Sequence, residues 1–100
     1  MPILSLGGKG VISVLSNVIP QETHDICQKW FDGDVEGSRK LFLHYLELAN
    51  ALFMDVNPIS VKDAMNLMGM QVGECRLPLI TMADAQKEKM AALLKKYDLI

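Results

Sequence analysis

The amino-acid sequence predicts a mainly α chain of one strand plus about four helices, read as the C-terminal end of a (β/α)8 barrel with a helical extension. Three observations predict it. Apolar residues recur at helical spacing over most of the length. One glycine-rich turn, Gly7-Gly8-Lys9-Gly10, opens onto a single β-branched run, Val11-Ile12-Ser13-Val14-Leu15. One hundred residues also fall far short of a whole barrel, which typically needs about 250. A helix–strand–helix unit followed by three further helices therefore reads as the last stave of a barrel and its appendage.

Met1 to Leu6 (MPILSL) reads as the tail of a helix that Gly7 terminates. Val11 to Leu15 is apolar on both faces, which suits a buried parallel strand. Pro20 sits well in the first turn of the next helix, where Ile26, Cys27, Trp30 and Phe31 share a face, and Asp32-Gly33 stops it. Asp34 is placed to cap the longest helix, whose apolar positions are Leu41, Phe42, Tyr45, Leu46, Ala49, Leu52 and Phe53. Asn57-Pro58 interrupts. Ser60 is expected to cap a short helix through Met68, with Asp63 as an imperfect capping box, Val61, Ala64, Met65 and Met68 as its buried face and Gly69 as its stop. Residues 70 to 80 read as irregular, and a last helix runs from Met82 or Asp84 to Tyr97. The expected division is 1–33 for the barrel end (helix tail, last strand, following helix) and 34–100 for the helical extension.

Composition excludes several classes. Ten basic and twelve acidic residues are interspersed without a basic stripe, so neither nucleic acid nor an anionic membrane is expected as a partner. The apolar runs are too short to span a membrane, and Met1-Pro2-Ile3-Leu4 lacks the basic start of a secretory signal. Cys27 and Cys75 share no metal-binding or redox spacing; with no signal segment they point to the reducing cytoplasm. Mean hydropathy is +0.19, high for so small a chain, which points to apolar surface covered by something outside it.

The chemistry-bearing candidates do not assemble into an active site. In Gly7-Gly8-Lys9-Gly10 the glycines precede the strand, the reverse of a phosphate-binding loop, so a tight helix-to-strand turn is the expectation. Lys9 and Lys62 are each conceivable imine-forming nucleophiles, yet such chemistry needs a desolvated lysine. Lys9 lies in a polar turn and Lys62 at a helix start away from the apolar face, so both read as solvated or salt-bridged. His24 and His44 stand alone, with no partner at metal-ligand spacing. Cys27 reads as a buried small hydrophobe, and the seven methionines as adaptable core filler. No metal and no cofactor is expected.

The run Leu6-Gly7-Gly8-Lys9-Gly10-Val11-Ile12-Ser13-Val14, with Asn17-Val18, resembles dihydrodipicolinate synthase (4-hydroxy-tetrahydrodipicolinate synthase). So do Asn57-Pro58-Ile59-Ser60-Val61-Lys62 and Arg76-Leu77-Pro78-Leu79. The resemblance covers essentially the whole chain, but only the carboxyl-terminal third or so of the family's usual length. It implies the end of a TIM barrel in a class I aldolase-like lyase. Such an enzyme joins pyruvate, held as an imine on a lysine, to aspartate semialdehyde in lysine biosynthesis.

In that template Val11 to Val14 is the eighth strand, and Ile12 borders the pyruvate pocket through its main-chain carbonyl. Leu6 matches a position near the family's dimer–dimer contact. The imine-forming lysine, the catalytic tyrosines and the carboxylate-binding arginine and threonine belong to sequence not present here. No catalytic residue is therefore expected in this chain, and Lys9 and Lys62 match other positions. Ser60 departs from many relatives, which have proline there.

The resemblance implies a C-terminal portion that is inactive alone, a homo-oligomeric parent enzyme, and pyruvate as the ligand of the full-length protein. Residues 11 to 15 would pair with the missing barrel, pair with a copy of themselves, or rearrange. Two alternatives stay open: a stand-alone helical interaction module, and the same portion of a sister enzyme such as N-acetylneuraminate lyase.

Overall fold

The apolar periodicities become five helices. A computed structural model describes all 100 residues. They form α1 (Pro2–Ser5), α2 (Pro20–Phe31), α3 (Val35–Ala51), α4 (Ile59–Leu67) and α5 (Asp84–Lys96), with a 3-10 turn over Leu15–Asn17. The chain divides into two compact units, Met1–Glu47 and Leu48–Ile100. No helix is long and apolar enough to cross a membrane.

In the first unit the boundaries follow local chemistry. Gly7 ends α1 with φ +96° and Gly33 follows α2 with φ +88°, left-handed values that glycine adopts without strain. Pro20 opens α2, as its ring geometry favours. Asp34 caps α3: its Oδ1 accepts from the Gly37 N–H at 2.9 Å and its carbonyl from the Ser38 N–H at 3.1 Å. The buried apolar residues are Leu4, Val18, Ile19 and Ile26. Two buried hydroxyls satisfy backbone carbonyls there: Thr23 Oγ1 donates to Ile19 O at 2.8 Å and Ser38 Oγ to Ile26 O at 2.6 Å. The second bond ties α3 to α2.

The mainly α character matches expectation; the strand over Val11–Leu15 does not form. Residues 8 to 13 have no regular structure, and Val14 adopts helical angles (φ −73°, ψ −40°) that lead into the 3-10 turn. That turn closes on itself, with Ser16 Oγ donating to Ser13 O at 2.9 Å and Asn17 N to Val14 O at 3.1 Å. The reason is pairing. A strand is stabilised by the ladder on its flanks, and no other extended apolar run exists here to supply one.

The second unit buries Leu48, Leu52, Ile59, Val61, Ala64, Met82, Met90 and Leu94, with α4 packed on α5. Gly69 follows α4 with φ +89°, as the stop at that glycine required. Ser60, however, does not cap α4. The helix begins at Ile59, so Ser60 lies inside it, fully buried, its Oγ accepting from the Asp55 N–H at 3.1 Å. The Asp63 carboxylate likewise leaves the helix start and accepts from the distant Met82 N–H at 2.8 Å. Both side chains met a donor from a following or preceding loop that a local capping pattern cannot anticipate. Along α3 and the turn that follows it the buried face is also shifted: Leu48 and Leu52 are fully buried, whereas Leu46 is 36% and Phe53 58% exposed.

Candidate functional site

The one position with an expected ligand role is Ile12. Its side chain is fully exposed, and neither the N–H nor the C=O of Val11 or Ile12 is engaged by another group of the chain. Buried backbone acceptors are almost always paired, whereas one as exposed as this is left to solvent. Here the carbonyl is free because the segment has no ladder partner, so the same cause leaves both the strand unformed and the acceptor open.

Beside this segment lies a cavity of about 180 Å³ in the first unit, lined by Ile3, Leu4, Val11, Leu15, Ile26 and Phe42. Its wall is almost wholly apolar. Thr23 and Cys27 also reach it, but the Thr23 hydroxyl is already committed to Ile19 O. No Asp, Glu, His, Lys or Arg side chain lines the cavity, which suits apolar groups. A second, polar cavity of about 290 Å³ in the other unit is bordered by Asp63, Asn66, Glu74, Thr81 and Lys87. Two of its polar groups are occupied with backbone. Asp63 binds Met82 N, and Asn66 both accepts from Val72 N at 2.8 Å and donates to Gly73 O at 2.9 Å.

The remaining candidates are dispersed. Lys9 is exposed in the glycine turn, and Lys62 Nζ donates to Glu74 O at 3.2 Å in the other unit. Neither is desolvated as an imine-forming lysine must be. His24 lies exposed on α2 and His44 exposed on α3. Cys27 and Cys75 are free thiols, both half-buried. No three of the His, Cys, Asp and Glu side chains gather into a metal-holding group. Sequence reasoning missed Asn66, whose amide fixes the loop after α4; nothing in Met65-Asn66-Leu67 distinguishes it from a solvent-facing helical asparagine.

Comparison with known proteins accounts for this arrangement. The model of the dihydrodipicolinate synthetase family matches residues 1–97. A 4-hydroxy-tetrahydrodipicolinate synthase of Acetivibrio thermocellus is 55% identical over 100 residues, which is 100% of this chain and 34% of that protein. The crystal structure of dihydrodipicolinate synthase from Aquifex aeolicus superposes with a TM-score of 0.94 at 40% identity, covering 98% of this chain and 33% of that one. The chloride-inhibited dihydrodipicolinate synthase of Acinetobacter baumannii, crystallised with pyruvate, superposes with a TM-score of 0.89 at 34% identity, covering 95% and 33%. The chain spans about a third of the length of the curated relatives it matches. Its helices answer to the C-terminal portion of those barrel enzymes.

Proposed function

The chain belongs to the dihydrodipicolinate synthetase family, and on that premise we propose that it supplies the last stave and helical extension of a pyruvate-dependent lyase. The reaction is the condensation of pyruvate with aspartate semialdehyde. In it a lysine amine attacks the pyruvate ketone carbon, water leaves, and loss of a methyl proton to a base turns the resulting imine into the enamine whose terminal carbon is the nucleophile. That lysine lies in the rest of the enzyme. Residues 1–33 are the barrel end and 34–100 the extension. Ile12 lends its main-chain carbonyl to the pyruvate pocket, an acceptor that binds without titrating. The working enzyme is a cytoplasmic homo-oligomer.

One observation carries the reading: a family match over residues 1–97 coincides with an unpaired, solvent-facing Val11-Ile12 backbone at the strand position. Such a backbone is what a stave without its neighbours must present. The chain alone is inactive, since Lys9 is exposed and Lys62 holds a carbonyl. Incubation with pyruvate and borohydride, followed by intact-mass and peptide analysis, is expected to leave both lysines unmodified. An adduct of pyruvate mass on either would overturn the proposal.

A further inference from the structure

Asp63 is buried, at 7% exposure, and only one of its two carboxylate oxygens is engaged: Oδ2 accepts from the Met82 N–H at 2.8 Å. Oδ1 has no partner in the chain. No fully buried side-chain oxygen goes without a partner, so Oδ1 is the atom that opens onto the polar cleft that Asp63 borders. A carboxylate so far from bulk water gains more from an opposite charge than a surface one does. Three further groups on this cleft also lack partners: the Glu74 carboxylate, the Thr81 hydroxyl and the Lys87 ammonium. Thr81 and Lys87 are half-buried.

We infer that this cleft, between α4 and the start of α5, binds a small zwitterion. Its ammonium group pairs with Asp63 Oδ1 and Glu74, and its carboxylate with Lys87 and the Thr81 hydroxyl. Charge decides the ligand class. A simple anion would meet two carboxylates, and a simple cation would meet Lys87. A metal ion lacks ligands, since no three His, Cys, Asp and Glu side chains gather. The volume, about 290 Å³, far exceeds the roughly 10–15 Å³ that one water needs, so an organic ligand of several heavy atoms fits.

The walls are set in advance. Asn66 fixes Val72 N and Gly73 O at 2.8 and 2.9 Å, and Lys62 Nζ donates to Glu74 O at 3.2 Å, which holds the loop bearing Glu74. Met82, beside Thr81, is tied to Asp63. Groups held this way lose little freedom when a ligand orders against them. None of these residues belongs to the Val11–Leu15 segment, so the cleft stands independently of the family reading.

The test is titration of the nitrogen-15-labelled 100-residue chain with γ-aminobutyrate, β-alanine and glycine, read by amide chemical shifts. Saturable shifts at Asp63, Glu74, Thr81 and Lys87 are expected with at least one of the three. Butyrate and n-butylamine, which carry one charge each, should bind at least tenfold more weakly than the best of them. Lys87→Gln and Glu74→Gln should each weaken binding several-fold without changing the far-UV circular dichroism. Three outcomes overturn the inference: no saturable shift with any of the zwitterions, equal binding of butyrate or n-butylamine, or unchanged affinity in both variants. The comparison among ligands needs no variant, so it decides even if a substitution disturbs folding.

Discussion

The Asp63 carboxylate accepts a hydrogen bond from the Met82 backbone N–H at 2.8 Å across 19 positions of sequence, with both residues buried. It joins α4 to the residues just before α5, and no other acceptor serves that N–H. Asp63→Ala leaves a buried donor unmatched, which costs about 1–3 kcal/mol. Asp63→Asn keeps an oxygen in place and should cost less than half as much. Urea unfolding of the two variants checks this, and equal midpoints for Ala and Asn would refute it.

Asp34 and Gly37 are coupled at the start of α3. A methyl group at Gly37 would collide with the Asp34 carboxylate that caps the helix. Alanine inside a helix is ordinarily better than glycine by about 1 kcal/mol, and loss of an aspartate cap costs about the same. Gly37→Ala should therefore bring no gain in the wild-type chain but about 1 kcal/mol in an Asp34→Ala background. A double-mutant cycle on thermal unfolding measures the difference.

Ser38 is fully buried and donates to Ile26 O at 2.6 Å. Ser38→Ala should lower stability by about 1 kcal/mol, the usual net value of one such bond. Trp30 lies on the helix that supplies the acceptor and is the only tryptophan, so its fluorescence reports the change directly.

Leu94 is fully buried in the second unit beside α4, along with Met90. Leu94→Ala is expected to cost about 2–5 kcal/mol, combining lost transfer energy with the cavity left behind. Leu94→Met should cost under about 1.5 kcal/mol because volume is kept. Far-UV circular dichroism in urea distinguishes the two.

How much was legible from residues alone varied by element. Pro20, Gly33, Asp34 and Gly69 act within a few residues of themselves, and each did what its local chemistry required. Ser60 and Asp63 carry the local pattern of an imperfect capping box, but Asp55 N and Met82 N take them instead. Leu46 and Leu48 are both leucines on one helix, and periodicity could not say which would be buried. Asn66 gave no signal, because its partners at 72 and 73 are placed by the course of the loop.

The sequence by itself determined the mainly helical character, the helix stops at Gly7, Gly33 and Gly69, and the family that its glycine turn, Asn57-Pro58-Ile59 and Arg76-Leu77-Pro78-Leu79 resemble. These depend on φ preferences, spacing and residue identity, all local properties. Tertiary structure decided the fate of Val11–Leu15, the partners of Ser60 and Asp63, and the exposure of Leu77 and Ile80. Each of those turns on what stands opposite: a strand exists only against another strand, and a buried polar group takes whichever donor folding brings to it.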